Sequence, residues 1–169
     1  MRKEPNYGDR VVRPVIRDFL KARGFQCKKS SCSKTVHPIE VTVWIFRSRF
    51  ADWYHTQLHV RALNEVCPYE MDPDNEHLFG SLEGFLGPRW KEMKVVMDGE
   101  NTALSEEAKA ELLRSLLDEI GPKLDAISTL DGLLDLIRFQ LTSKEPLPRM
   151  QTPRYGEDLL KYQDSLRES

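Results

Sequence analysis

The sequence predicts an α+β domain, and three observations carry that expectation. An amphipathic helix pattern opens the chain, two nine-residue stretches in the middle alternate in period two, and leucines recur at helical spacing after residue 105. The implied order of one helix, roughly four strands and two to three helices fits an antiparallel meander sheet whose helices collect mainly on one face. At 169 residues, 40% apolar and 31% charged, the chain is long enough for one core and short for two. Residues 1–145 are read as that single domain, with residues 146–169 a Pro-rich linker and a short C-terminal helix docking on it.

In DRVVRPVIRDFLKARGF, Val11, Val12, Val15, Ile16, Phe19 and Leu20 gather on one helical face. Asp9 is a candidate N-cap and Gly24 the residue that ends the helix. Pro14 implies either a kink or a regular helix that starts near Arg13. FQCKKSSCSKTV reads as one outer strand guarded by lysines, followed by a turn at His37-Pro38. IEVTVWIFR is a strand with Ile39, Val41, Val43 and Ile45 on one side and Glu40, Thr42, Trp44 and Phe46 on the other. YHTQLHVRA is the next, with Tyr54, Thr56, Leu58 and Val60 facing the core.

Residues 64–88 form a long Pro-, Gly- and acid-rich excursion with an apolar patch at Leu78, Phe79, Leu82, Phe85 and Leu86. WKEMKVVM is read as the fourth strand. Ser105 caps a helix carrying Leu112, Leu113, Leu116, Leu117 and Ile120, which is expected to stop at Gly121-Pro122. Ser128 with Asp131 suggests a capping box for a helix holding Leu133, Leu134, Leu136, Ile137 and Leu141. A final helix carries Leu159, Leu160, Tyr162 and Leu166.

Several of these stretches, "KARGFQCKK", "EVTVWIFRSRF", "HTQLHVRA", "RWKEMKVV" and "LLDEIGPKLDAISTLDGLLDLI", together resemble a bacterial family known only as a domain of unknown function, over roughly residues 10–142. Where that family places an aromatic and an Arg in its first strand, this chain has Ser31, Cys32, Ser33 and Lys34. The resemblance implies a helix ending in Gly-Phe, a four-stranded meander, a C-terminal helical pair, and protein contacts such as toxin neutralisation. The family has no established chemistry, so no catalytic residue is carried over.

The chemistry-bearing residues narrow the possibilities further. No run approaches the roughly 18 apolar residues of a membrane helix, and MRKEPNYGDR lacks a secretory h-region, so a cytoplasmic chain without a membrane partner is expected. Three cysteines suggest reduced, inert thiols. His55 and His59, four apart in an extended strand, stand about 13 Å from each other, too far to share one ion. Cys27, Cys32 and His37 have no usual zinc spacing, and an offset of five puts the two thiols on opposite faces of one strand. Neither metal nor cofactor is expected. Cys67 is the nearest thing to a nucleophile, and Glu70, Asp72, Asp74 and Glu76 lack the glycine of a calcium loop.

Residues 1–34 hold ten Lys or Arg against three acids, while the remainder is net acidic. The row Arg10, Arg13, Arg17 and Lys21 is expected to be neutralised internally, although it could also steer an anionic partner. The most convergent polar and aromatic surface is His55, Gln57, His59 and Arg61 beside Trp44 and Phe46, if register places the two rows on one face. The leading expectation is a non-catalytic domain binding a protein or small ligand there. The alternatives are a hydrolase or nuclease-like enzyme using His55 or His59 with an acidic-loop carboxylate, and nucleic-acid binding through the basic helix.

Overall fold

The computed structural model describes residues 6–67 and 75–169, and these form an α+β fold with five α-helices and one six-stranded antiparallel sheet. The strands are β1 (Gln26–Lys28), β2 (Ser31–Val36), β3 (Ile39–Arg47), β4 (Tyr54–Ala62), β5 (Leu78–Gly80) and β6 (Met150–Gln151), laid side by side in sequence order. The helices are α1 (Arg13–Ala22), α2 (Trp90–Met97), α3 (Glu106–Ala126), α4 (Leu130–Thr142) and α5 (Arg154–Glu168). The α+β class and the meander are as expected, and several elements differ in kind or extent.

The helix begins as a wide π-type turn, Gly8–Val12, before α1. Asp9 does not cap it: its N–H is instead held by the Asn6 side chain, and its carboxylate pairs with Arg13. Pro14 is the second residue of α1, so its missing N–H falls where the wide turn gives way to the regular helix. Gly24, at φ 82°, ends the helix as expected.

The single outer strand expected from FQCKKSSCSKTV is a hairpin. The chain reverses at Lys29–Ser30, so Cys27 lies directly opposite Cys32, and a disulfide joins them. A two-residue turn converts an offset of five along the chain into a cross-strand pair. The reduced thiols expected for these two residues are therefore corrected, as is their placement on opposite faces of one strand.

WKEMKVVM is helix α2 and no strand. Alternation would have set Glu92 and Lys94 between Trp90 and Val96 on one face, whereas helical spacing buries Met93, Val96 and Met97 together. The remaining sheet positions go to β5, inside the long excursion, and to β6, inside the Pro-rich linker.

Helix α3 does not stop at Gly121-Pro122 but runs on to Ala126. An interior proline costs about 3 kcal/mol. Burying Leu124 and Ile127 beyond it recovers about 1.5–3 kcal/mol each, enough to carry the chain through. The next cap is Thr129, which accepts from Gly132 N–H, while the Ser128 hydroxyl is buried and donates back to Leu124 O. Helix α5 is 15 residues long and buries Leu159 and Leu160, but Leu166 is 53% exposed.

Met150, Leu159 and Leu160 share one core with Ile16, Leu58, Leu117 and Ile137. The side chains of β3 and β4 alternate strictly between this core and a half-buried outer face. Among the described residues no helix is long and apolar enough to cross a membrane.

Candidate functional site

The register of β3 and β4 decides whether the sequence-predicted surface exists. Trp44 lies opposite Gln57, Phe46 opposite His55, Thr42 opposite His59 and Glu40 opposite Arg61. All six expected residues, His55, Gln57, His59, Arg61, Trp44 and Phe46, therefore share the outer face, because partners in an antiparallel pair point to the same side. β5 adds Phe79 opposite His59, and β6 adds Gln151 opposite Phe79.

Aromatic rings form a ladder across this face. Trp44 stacks on Phe46 at 5.9 Å between centroids, Phe46 stacks on His55 at 5.4 Å, and Trp53 tilts against the same imidazole at 5.9 Å. Such pairs contribute about 0.5–1.5 kcal/mol each beyond area burial, so the rings help to hold one another in place. Further along, Arg61 donates to Glu40 at 2.6 Å, His59 Nδ1 pairs with Glu76, and Phe79 packs edge-on to the His59 ring.

His55 and His59 are held on one extended strand, and among the described residues no group of three or more His, Cys, Asp or Glu side chains converges as a metal site. Glu70, Asp72 and Asp74 lie outside the described residues. Burial pushes the His55 imidazole below its usual range; the Glu83 charge acts against that shift and Arg149 adds to it. The ring is thus kept neutral more firmly than an exposed histidine.

At the β4–β5–β6 end the face dips into a depression of about 270 Å³ lined by His55, Gln57, Phe79, Ser81, Arg149 and Gln151. Beneath it, the buried Glu83 carboxylate accepts from the Thr56 hydroxyl at 2.9 Å and meets Arg149 Nε at 3.4 Å. A carboxylate removed from water needs such partners, and they fix its position under the pocket. Arg149 also lies over the Trp90 ring at 5.1 Å. Sequence reasoning missed Ser81, Glu83, Arg149 and Gln151 as site residues. Strands of three and two residues have no readable periodicity, so nothing local marks these positions.

Cys67 meets His77 rather than His55 or His59: its Sγ is 3.8 Å from His77 Nε2. His77 Nδ1 accepts the Ala62 N–H at 3.1 Å, which puts the ring proton on Nε2, facing the sulfur. That tautomer cannot take a proton from the thiol. Burial and the Glu65 charge also push the Cys67 pKa up, away from the thiolate a nucleophile needs.

The basic row is largely occupied. Arg10 pairs with Glu106 of α3, Arg13 with Asp9, and Arg17 donates to the carbonyls of Lys29 and Cys27, while Arg23 and Lys34 both meet Asp125. No family model matches this chain, and no curated protein or solved structure matches it either.

Proposed function

We propose that the domain is a non-catalytic binding module that takes a protein or small-molecule ligand on its outer sheet face. The observation that supports this reading is the shared orientation of the aromatic ladder and the His55, Gln57, His59 and Arg61 row, on the side opposite the packed core. Large aromatic and guanidinium side chains are the groups that carry most binding energy when a partner desolvates them. Protein contacts of the toxin-neutralisation kind are one form such binding would take.

The test compares what wild type and a His55→Ala/His59→Ala variant retain from a native lysate, with mass spectrometry of both proteins and small molecules. A retained species should disappear with the double substitution while Leu166→Ala, remote from the sheet, keeps it. Equal retention by wild type and the double variant, both folded, would overturn the reading.

The His59–Glu76 pair favours a second, hydrolytic reading, because a general base needs such an orienting carboxylate. Against it, His59 Nε2 is buried beside Phe79 with neither a hydrogen-bond partner nor a nucleophile to deprotonate among the described residues. Nucleic-acid binding is weakened by the internal pairing of the basic row.

A further inference from the structure

We propose that the depression at the β4–β5–β6 end is a carboxylate-binding subsite, taking the head group of a ligand whose apolar or aromatic body lies along the His55–Phe46–Trp44 ladder. This rests on the sheet-face reading and gives it a chemical class.

Three observations converge. First, Ser81 borders the depression at 4% exposure, and its hydroxyl, closed off from solvent, has no hydrogen-bond partner among the described residues. Buried hydroxyls are normally satisfied, and a rotation about the Cα–Cβ bond would offer this one to a group seated in the depression. Second, Arg149 is oriented from behind. Glu83 engages its Nε at 3.4 Å and its Cζ lies over the Trp90 ring at 5.1 Å, two contacts that hold the guanidinium in place. A guanidinium offers five donors in a fixed fork, and its free edge matches the two oxygens of a carboxylate. Third, Gln57 and Gln151 flank the site with amide donors, and Phe79 supplies an apolar wall.

Charge chooses among anions. The Arg149 cation is already partly balanced by the Glu83 carboxylate at 3.4 Å, and His55 is biased toward neutrality. One further negative charge is accommodated by the remaining donors, whereas a dianionic phosphate would face Glu83 with too little compensation. Size restricts the occupant as well. About 270 Å³ falls below the roughly 300 Å³ where pockets for whole drug-sized ligands begin. The depression therefore holds a head group, and the rest of the ligand must lie outside it, where the stacked rings are.

The backbone is built for this close approach. A Cβ on Gly80 would come within 2.6 Å of the Arg149 carbonyl and 2.4 Å of the Met150 sulfur, so only glycine lets the 149–150 segment lie against β5. Arg149 itself holds φ 60°.

The experiment titrates the isotope-labelled full chain with 3-phenylpropionate, its primary amide, a tripeptide ending in phenylalanine as free acid and as amide, and inorganic phosphate. Amide resonances of Gly80, Ser81 and Gln151 and the Arg149 Nε–H resonance should shift with an acid and not with the matching amide. Arg149→Lys, which keeps the charge and loses the fork, should weaken the acid roughly tenfold. Ser81→Ala should weaken it severalfold and serves if Arg149→Lys misfolds. Preference for the free small acid or for the peptide acid tells a metabolite from a protein C-terminus, and either supports the subsite. Equal binding of acids and amides, phosphate binding alone, or acid affinity unchanged in both variants would overturn it. If that happens while His55→Ala/His59→Ala still abolishes retention of a lysate species, the subsite falls and the sheet-face reading stands.

Discussion

His77 is 1% exposed, and its pKa is pushed down to about 4 by burial first and by the nearby Arg61 charge second. Its ring stays neutral because Nδ1 must keep accepting the Ala62 N–H that ties residue 77 to the end of β4. An unfolded histidine titrates near 6.5, so between that value and about 4 the unfolded chain binds the extra proton. The stability contribution is full above about pH 6.5 and drains as the pH falls through the folded pKa, by about 3 kcal/mol in all. Urea unfolding of wild type and His77→Gln from pH 7 to 4 checks this. The variant should start less stable, because the longer Gln side chain does not set its amide oxygen where Nδ1 accepts from Ala62, and should show a shallower decline over that interval. Lys109 is another buried group: its side-chain nitrogen donates to the carbonyls of Asp98 and Asn101 and faces the Tyr7 ring at 4.7 Å, which holds the segment before α3.

Among the elements, α2 offers the sharpest contrast between pattern and outcome. A strand reading puts Met93, Val95 and Met97 on one face, whereas the helix buries Met93, Val96 and Met97 and leaves Val95 38% exposed. Val95→Asp should therefore change stability by less than about 1 kcal/mol. Val96→Asp, which sets a charge in the core, should lower stability by several kcal/mol or abolish folding. Thermal unfolding of the two variants measures the difference, and reversed sensitivities would contradict the helix. The β1–β2 hairpin illustrates the same limit on local pattern. Its polar residues have no strong alternation, and the reversal at Lys29–Ser30 becomes evident only through the pairing of Cys27 with Cys32.

Over the whole molecule, the linker and last helix belong to the body of the protein. β6 completes the sheet beside β5, Gln140 holds the backbone of Leu147 and Met150, and Gln163 of α5 donates to the Val66 carbonyl. Removing residues 146–169 would strip the β5 edge at Phe79 and Gly80 of its partner strand, uncover the α4 surface and delete Arg149 from the depression. Leu159 and Leu160 alone bury enough to be worth about 1.5–3 kcal/mol each. The truncated chain should lose its cooperative unfolding transition or precipitate, as read by calorimetry; a chain ending at residue 145 that melts like the full one would show that this segment is an appendage.

The sequence by itself determined the α+β class, the two long strands, the side of its own strand on which each of His55, Gln57, His59, Arg61, Trp44 and Phe46 stands, and the presence of α1, α3 and α4, whereas the β3–β4 register put the two rows on one face. Nine residues of strict alternation, or two to three turns of leucines, carry enough periodicity to specify an element and its buried side. Only the tertiary structure decided that WKEMKVVM coils, that two very short strands extend the sheet, and that Ser81, Glu83 and Arg149 meet below His55. Those outcomes depend on neighbours distant in the chain. Residue 149 reaches residue 83 because Gly80 permits close passage and because β6 finds an edge to pair with, and neither condition is written in the residues on either side of Arg149.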